Sequence, residues 1–299
     1  MPLAPSHGAR IYYEETGQGT PILFIHEFGG DHRSWDDQMR HFGRSWRCLT
    51  WAARGYPGSD APGDQALYGQ EFFNRDAIAV LDAAGIAKAH IVGLSMGGYT
   101  ALMLAAKFPE RVLSCTAAGA GSGSPKATRD QFIRECQATA AQYDKVEKLN
   151  GEAMGMSPTR VQLLVKDPIG WKAFVSNLTE HPPHAAANTL RTVQSGRPSL
   201  YDLEGELKSI AAPVLLLVGD EDEPCLDVNL WMKRLLPNAR LGMFPGSGHA
   251  INLEEPALFN QLVEQFLADV ERGSWRPRDP RAKAGATISS LGGETKSSD

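Results

Sequence analysis

The stretch Gly93-Leu-Ser-Met-Gly97 limits the fold more than any other part of the chain. A short run containing Ile91 and Val92 precedes it, and a helix-forming stretch rich in Ala, Leu and Met follows. Glycine, serine and glycine at this spacing, between a strand and a helix, make a sharp turn that lifts the serine hydroxyl clear of the chain. The flanking glycines are small because such a turn crowds its neighbours. The start of the next helix then offers backbone N–H groups to a developing oxyanion. The plainer reading of the same five residues is a glycine-rich turn in which Ser95 caps a helix, so the surrounding pattern has to decide.

That pattern alternates. Strand-like runs are expected at residues 10–15, 21–25, 46–51, 89–93 and 111–118. Residues 69–84 carry Phe73, Ala77, Val80, Leu81 and Ala84 at helical spacing, with Gly85 suited to the position after the helix. A second helix is expected over 96–108, ended by Pro109. Alternating strands and helices imply an α/β fold with a mostly parallel central sheet flanked by helices. The rhythm stops at about Gly121 and resumes at Pro213-Val-Leu-Leu-Leu-Val. Further elements are expected at 240–244 and in a helix from Pro256, with Phe259, Val263, Phe266 and Leu267 on its apolar face. The chain therefore divides into a core of residues 1–121 and 206–272, a helical insertion at 122–205, and a basic, proline-containing tail at 273–299 that lacks the means to bury a core and is expected to be disordered.

Composition narrows the class. The net charge of −5 gives no basic footprint for nucleic acid or an anionic membrane. The apolar run around Val214–Val218 is too short to cross a bilayer. The first residues lack the basic and apolar regions of a secretory signal, so a cytoplasmic protein is expected. Cys48, Cys115, Cys136 and Cys225 form no C-x-x-C pair and read as small core residues, with no metal site among them. Cys225 lies beside an acidic loop, and its lining the site is the lesser alternative.

A serine nucleophile needs a base and an acid to orient the base. His249, in Gly246-Ser-Gly-His, follows the last expected strand and so lies on the same sheet edge as Ser95. The acid belongs in Gly219-Asp-Glu-Asp-Glu223, where position alone leaves Asp220 and Asp222 open. His181 and His184 lie in the insertion, where reaching a substrate is the lesser reading.

Four motifs in order, His26-Glu-Phe-Gly-Gly30, Arg54-Gly-Tyr-Pro-Gly-Ser59, Gly93-Leu-Ser-Met-Gly-Gly98 and Gly246-Ser-Gly-His249, resemble those of the α/β-hydrolase superfamily. The likeness runs over residues 8–272 and is greatest to small bacterial esterases and 3-oxoadipate enol-lactonase-like hydrolases. It implies a helical cap inserted after the sixth strand and a Ser95, Asp222, His249 triad. It selects Asp222 through the family's Gly-x-x-Asp pattern, and assigns the oxyanion-binding N–H groups to Phe28 and Met96. It implies hydrolysis of a small-molecule carboxylic ester or lactone, with no cofactor, in a monomer or homodimer. A carbon–carbon hydrolase of vinylogous diketones would use the same triad, and a ligand-binding receptor would keep the fold without turnover.

Two positions depart from the family pattern. Glu27 stands where glycine is usual, and would oppose an oxyanion unless it points away or is protonated; the plainer reading is an outward-facing Glu27 that bonds a nearby backbone group or an arginine, and the sharper one is a second acid or a selector for substrate amines. Ala52 stands where aspartate is frequent, which leaves Arg54 free to pair with Glu27. Glu27, Trp171 and Phe174 are the candidates to line the pocket beneath the insertion.

Overall fold

The computed structural model describes residues 2–279. Its eight strands are β1 (Leu3–Ser6), β2 (Ala9–Thr16), β3 (Pro21–Ile25), β4 (Arg47–Trp51), β5 (Ala89–Leu94), β6 (Val112–Ala118), β7 (Val214–Gly219) and β8 (Ala239–Phe244). They form one sheet in the order β1-β2-β4-β3-β5-β6-β7-β8. The β1–β2 and β2–β4 pairs are antiparallel and the remaining pairs are parallel. Every residue of β5 and β7 is buried, as expected for strands covered on both faces.

The sequence reading did not foresee β1. It is a four-residue edge strand joined to β2 by His7 and Gly8, whose φ values of 35° and 83° match a tight hairpin turn. Such a strand is too short to show periodicity.

Helices α1 (Asp36–Phe42), α2 (Gln70–Ala83) and α3 (Met96–Lys107) alternate with the strands. After β6 come five helices without a strand: α4 (Arg129–Tyr143), α5 (Gly151–Gly155), α6 (Val161–Lys166), α7 (Pro168–Thr179) and α8 (Pro183–Thr189). Then follow α9 (Glu204–Lys208), α10 (Glu223–Leu235), α11 (Ile251–Glu254) and α12 (Pro256–Glu271). One apolar layer joins α2, α3 and α10 to the sheet; another, on the opposite face, is built from α1 and α12. The inserted helices carry a small core of their own around Cys136, Ala140, Ala187 and Leu190.

Of the segment 273–299 read as a loose tail, residues 280–299 lie outside the described residues. Its first part is docked: Trp275 packs on Phe266 at 4.5 Å, Arg240 lies 4.0 Å over its ring, and its Nε1 donates to the Asn238 carbonyl at 3.2 Å. Among the described residues, no helix is long and apolar enough to cross a membrane.

Strand order places the site. From β3 the chain crosses to β4 on one side and later to β5 on the other. The loops leaving β3 and β5 therefore diverge, and a crevice opens between them at the carboxyl ends of the strands.

Candidate active site

Ser95 is the residue between β5 and α3, with φ 56° and ψ −111°. A non-glycine residue with positive φ is strained, and here the strain is held in place. The Ser95 N–H donates to the Ala118 carbonyl at 2.7 Å. A Cβ on Gly93 would lie 2.1 Å from the Gly97 carbonyl oxygen, and one on Gly97 would lie 2.0 Å from that of Ile25. The two glycines are thus required by the close approach of three backbone segments.

The loop after β3 faces this turn. His26 is buried, and its Nε2 accepts the Ala53 N–H at 3.0 Å. Its Nδ1 therefore carries the proton and donates to the Glu27 carbonyl at 2.7 Å. Burial lowers the pKa of His26 to about 4, so the ring stays neutral and keeps this tautomer. Tyr56 packs edge-on against His26 and its hydroxyl donates to the Phe28 carbonyl at 3.0 Å. With that carbonyl fixed, the backbone at Phe28 has a set direction. Among the described residues, neither the Phe28 N–H nor the Met96 N–H donates to a protein acceptor.

The histidine and acid loops meet next to the elbow. His249 Nδ1 donates to Asp222 Oδ2 at 2.7 Å, and both residues are buried. Burial pushes the His249 pKa down; the charge and hydrogen bond of Asp222 push it up and prevail, so the net shift is upward. Gly119, directly after the carbonyl that holds Ser95, leaves room for this pair: a Cβ there would lie 3.4 Å from the His249 ring and 3.5 Å from Asp222 Oδ2. Asp220 turns elsewhere and accepts the Ser247 N–H at 3.1 Å. The Ser95 hydroxyl and the His249 ring are not hydrogen-bonded to each other in this state. Such a contact is often long in a free enzyme and tightens with substrate.

Cys225 lies behind the acid rather than in front of it. Its thiol donates to the Gly119 carbonyl at 3.3 Å, and burial followed by the nearby Asp222 charge drives its pKa well above the ordinary value. Asp222, Cys225 and His249 bring three donor atoms within 4.8 Å of one another. Burial and the Asp222 charge favour the protonated thiol, and the imidazole is hydrogen-bonded to the carboxylate.

The departures from the family pattern resolve differently from expectation. Glu27 does not point outward: it is 0% exposed, and Arg160 of the insertion donates to it from Nη2. Arg54 does not pair with Glu27. It forms a bidentate pair with Asp76 of α2, Nε at 2.7 Å and Nη2 at 2.6 Å, with both side chains fully buried. The acid missing at position 52 is thus supplied from a helix. Phe174 lies at the site, its ring under Arg160 and close to Gly29. Trp171 donates from Nε1 to the Gly155 carbonyl at 3.0 Å, a bond within the insertion. His181 is buried against Asp31 at 3.3 Å, and His184 is exposed and bonds the Ala61 carbonyl at 3.2 Å.

Three contributors were not foreseen. The Thr159 carbonyl accepts the His249 N–H at 2.7 Å, which fixes the base from the insertion side. Glu254 accepts the N–H groups of Gly248 at 2.7 Å and Ala250 at 3.0 Å, gripping the loop on both sides of His249. Arg160 is the third. Glu254 carries a signal, a carboxylate in the short helix that directly follows the histidine loop; Thr159 and Arg160 carry none, because their partners are remote in sequence.

Residues 20–256 match the family model described as alpha/beta hydrolase fold. The chain is 28% identical to 2-hydroxy-6-oxo-6-phenylhexa-2,4-dienoate hydrolase of Burkholderia cepacia, over 87% of this chain and 92% of that one. It is 26% identical to 3-oxoadipate enol-lactonase 1 of Acinetobacter baylyi, over 84% and 89% respectively. A thermophilic esterase from Thermogutta terrifontis superposes with a TM-score of 0.80 at 21% identity, covering 90% of this chain and 98% of that one. These relatives are hydrolases, in line with the expected reaction class.

Proposed function

The chain belongs to the α/β-hydrolase-fold family, and from that premise we propose that it is a serine hydrolase of small carboxylic esters or lactones. One observation carries the reading. A strained serine at the strand–helix turn is bonded to the Ala118 carbonyl, and the next residue, Gly119, packs against a buried His249–Asp222 pair, while the Phe28 and Met96 N–H groups stay unused.

His249 takes the Ser95 proton as Ser95 Oγ attacks the carbonyl carbon. Asp222 keeps the imidazole in the right tautomer and stabilises its charged form. The N–H groups of Phe28 and Met96 bind the oxyanion, and losing one such donor typically costs about 3–4 kcal/mol. His249 then protonates the leaving oxygen. Water, deprotonated by the same ring, releases the acid from the acyl-enzyme. Residues 122–205 act as a cap over the pocket, with Phe174 lining it. The buried and paired state of Glu27 argues against a selector for substrate amines.

A second reading, hydrolysis of a carbon–carbon bond in a vinylogous diketone, draws on the Burkholderia relative and uses the same groups. Initial rates on short p-nitrophenyl esters, lactones and ring-cleavage diketones separate the two. Turnover of diketones alone would replace the first reading with the second. Turnover of nothing, with tight retention of one ligand, would leave a binding protein.

A further inference from the structure

Glu27 is a carboxylate with no exposure, one residue before the N–H group assigned to the oxyanion. Its Oε1 has no hydrogen-bond partner, and Oε2 is held only by Arg160. Arg160 comes from a segment 133 residues away. Its neighbour Thr159 holds the His249 N–H, and its Nη2 would lie 3.3 Å from a Cβ placed on Gly29. Two consecutive residues of the insertion thus touch the histidine loop and the oxyanion loop.

We propose that Arg160 is a positioning residue of the catalytic machinery, docking the insertion onto the active site and neutralising Glu27 where an oxyanion has to form. The proposal rests on the serine-hydrolase reading. A buried carboxylate beside a developing negative charge raises the barrier; the guanidinium cancels it without taking the Phe28 N–H. Because the pair is shielded from water, it acts strongly on whatever charge lies nearby. His249 is such a group. Glu27 favours its protonated form and Arg160 disfavours it. The other charged or titratable groups around its loop are Asp222, Cys225 behind it, Glu254 beneath the backbone, and Lys166, which bonds Ser247 at 2.8 Å. None of these changes when residue 27 or 160 is replaced.

The test is a double-mutant cycle of Glu27→Gln, Arg160→Met and the pair, with Arg160→Lys as a fourth variant. kcat, KM and the pH dependence of kcat/KM are read on one p-nitrophenyl ester. Arg160→Met is expected to lower kcat by about tenfold or more, within the range of coupled neighbouring residues, with a smaller change in KM. It should also move the rising limb of the pH profile upward, because the raising influence of Glu27 is then unopposed. Glu27→Gln should move that limb downward. The double variant should recover most of the kcat lost in Arg160→Met, and Arg160→Lys should keep most of the wild-type rate. An unmoved limb in both single variants, or a double variant as slow as Arg160→Met, overturns the proposal. If Arg160→Met does not fold, Glu27→Gln alone still decides by the direction of its limb. Labelling of wild-type Ser95 by a fluorophosphonate, read by mass spectrometry, keeps the two levels apart. No labelling and no ester turnover would overturn the serine-hydrolase reading itself, whatever the cycle shows.

Discussion

The elbow at Ser95 and the Thr159–Arg160 stretch approach the site from opposite directions, and different forces hold them. Around Ser95 the geometry is set by backbone crowding: Gly93 and Gly97 pack against carbonyl oxygens at distances no side chain could share. Around Arg160 it is set by docking: one ion pair to Glu27, one hydrogen bond to His249, and a ring contact with Phe174. The first kind of order comes from neighbours in sequence and from a packed sheet. The second exists only once the insertion has settled on the core. On the serine-hydrolase reading, the reacting serine then stands on the packed sheet and the insertion is the part free to vary.

The contrast can be broken experimentally, beginning with the core. Ser95→Ala should reduce ester turnover by about 10⁶-fold, as removal of a triad nucleophile does, with an unchanged melting curve. Wild-type rate in that variant would sink the mechanism. Asp222→Asn should cost roughly 10⁴-fold in kcat, because the imidazole loses its tautomer. Asp220→Asn should cost far less, since it only holds the Ser247 N–H; the reverse ranking would reassign the acid. Asp76→Ala strands a buried guanidinium and should remove about 3–5 kcal/mol of stability in urea melts. Loss of less than about 1 kcal/mol would mean that Arg54 finds another partner.

A pH effect comes next. The folded-state pKa of His26 is lowered to about 4, below its value in the unfolded chain. The unfolded chain then binds the proton first. The contribution is full above the unfolded pKa and is lost as pH falls toward about 4. Urea midpoints between these limits should decline less steeply in His26→Asn; an identical slope would remove His26 from the account. The smallest effect belongs to the insertion. Trp171→Phe loses one hydrogen bond to Gly155 and should cost about 1 kcal/mol, with kcat nearly unchanged. A large fall in kcat there would mean that Trp171 lines the pocket as well as bonding Gly155.

Legibility followed the same division. The elbow, the buried strands and α12 were readable because each is set by spacing within a short segment. The choice between Asp220 and Asp222 was not open to spacing, because two carboxylates two residues apart both leave the strand end; Asp222 meets the imidazole and Asp220 folds back onto Ser247. Glu27 stands out as an anomaly open to an arginine partner, but the sequence points to Arg54 rather than Arg160, since nothing in Ser157-Pro-Thr-Arg160 marks it as a contact of residue 27. The Arg54 pairing was misjudged for a related reason: Asp76 lies among the residues of α2, where a carboxylate reads as solvated surface.

The carbonyl of Thr159 has a consequence for how such a protein could diversify. A roof that only covered a pocket could be exchanged wholesale, each replacement bringing a new substrate range. Here the insertion also holds the His249 N–H, so on the serine-hydrolase reading a transplanted segment that lacks a carbonyl at that point would change the ligand and disable the chemistry together. On that reading, variation compatible with turnover is confined to the insertion's other residues, with the Thr159–Arg160 corner as the fixed point around which a new specificity has to be drawn.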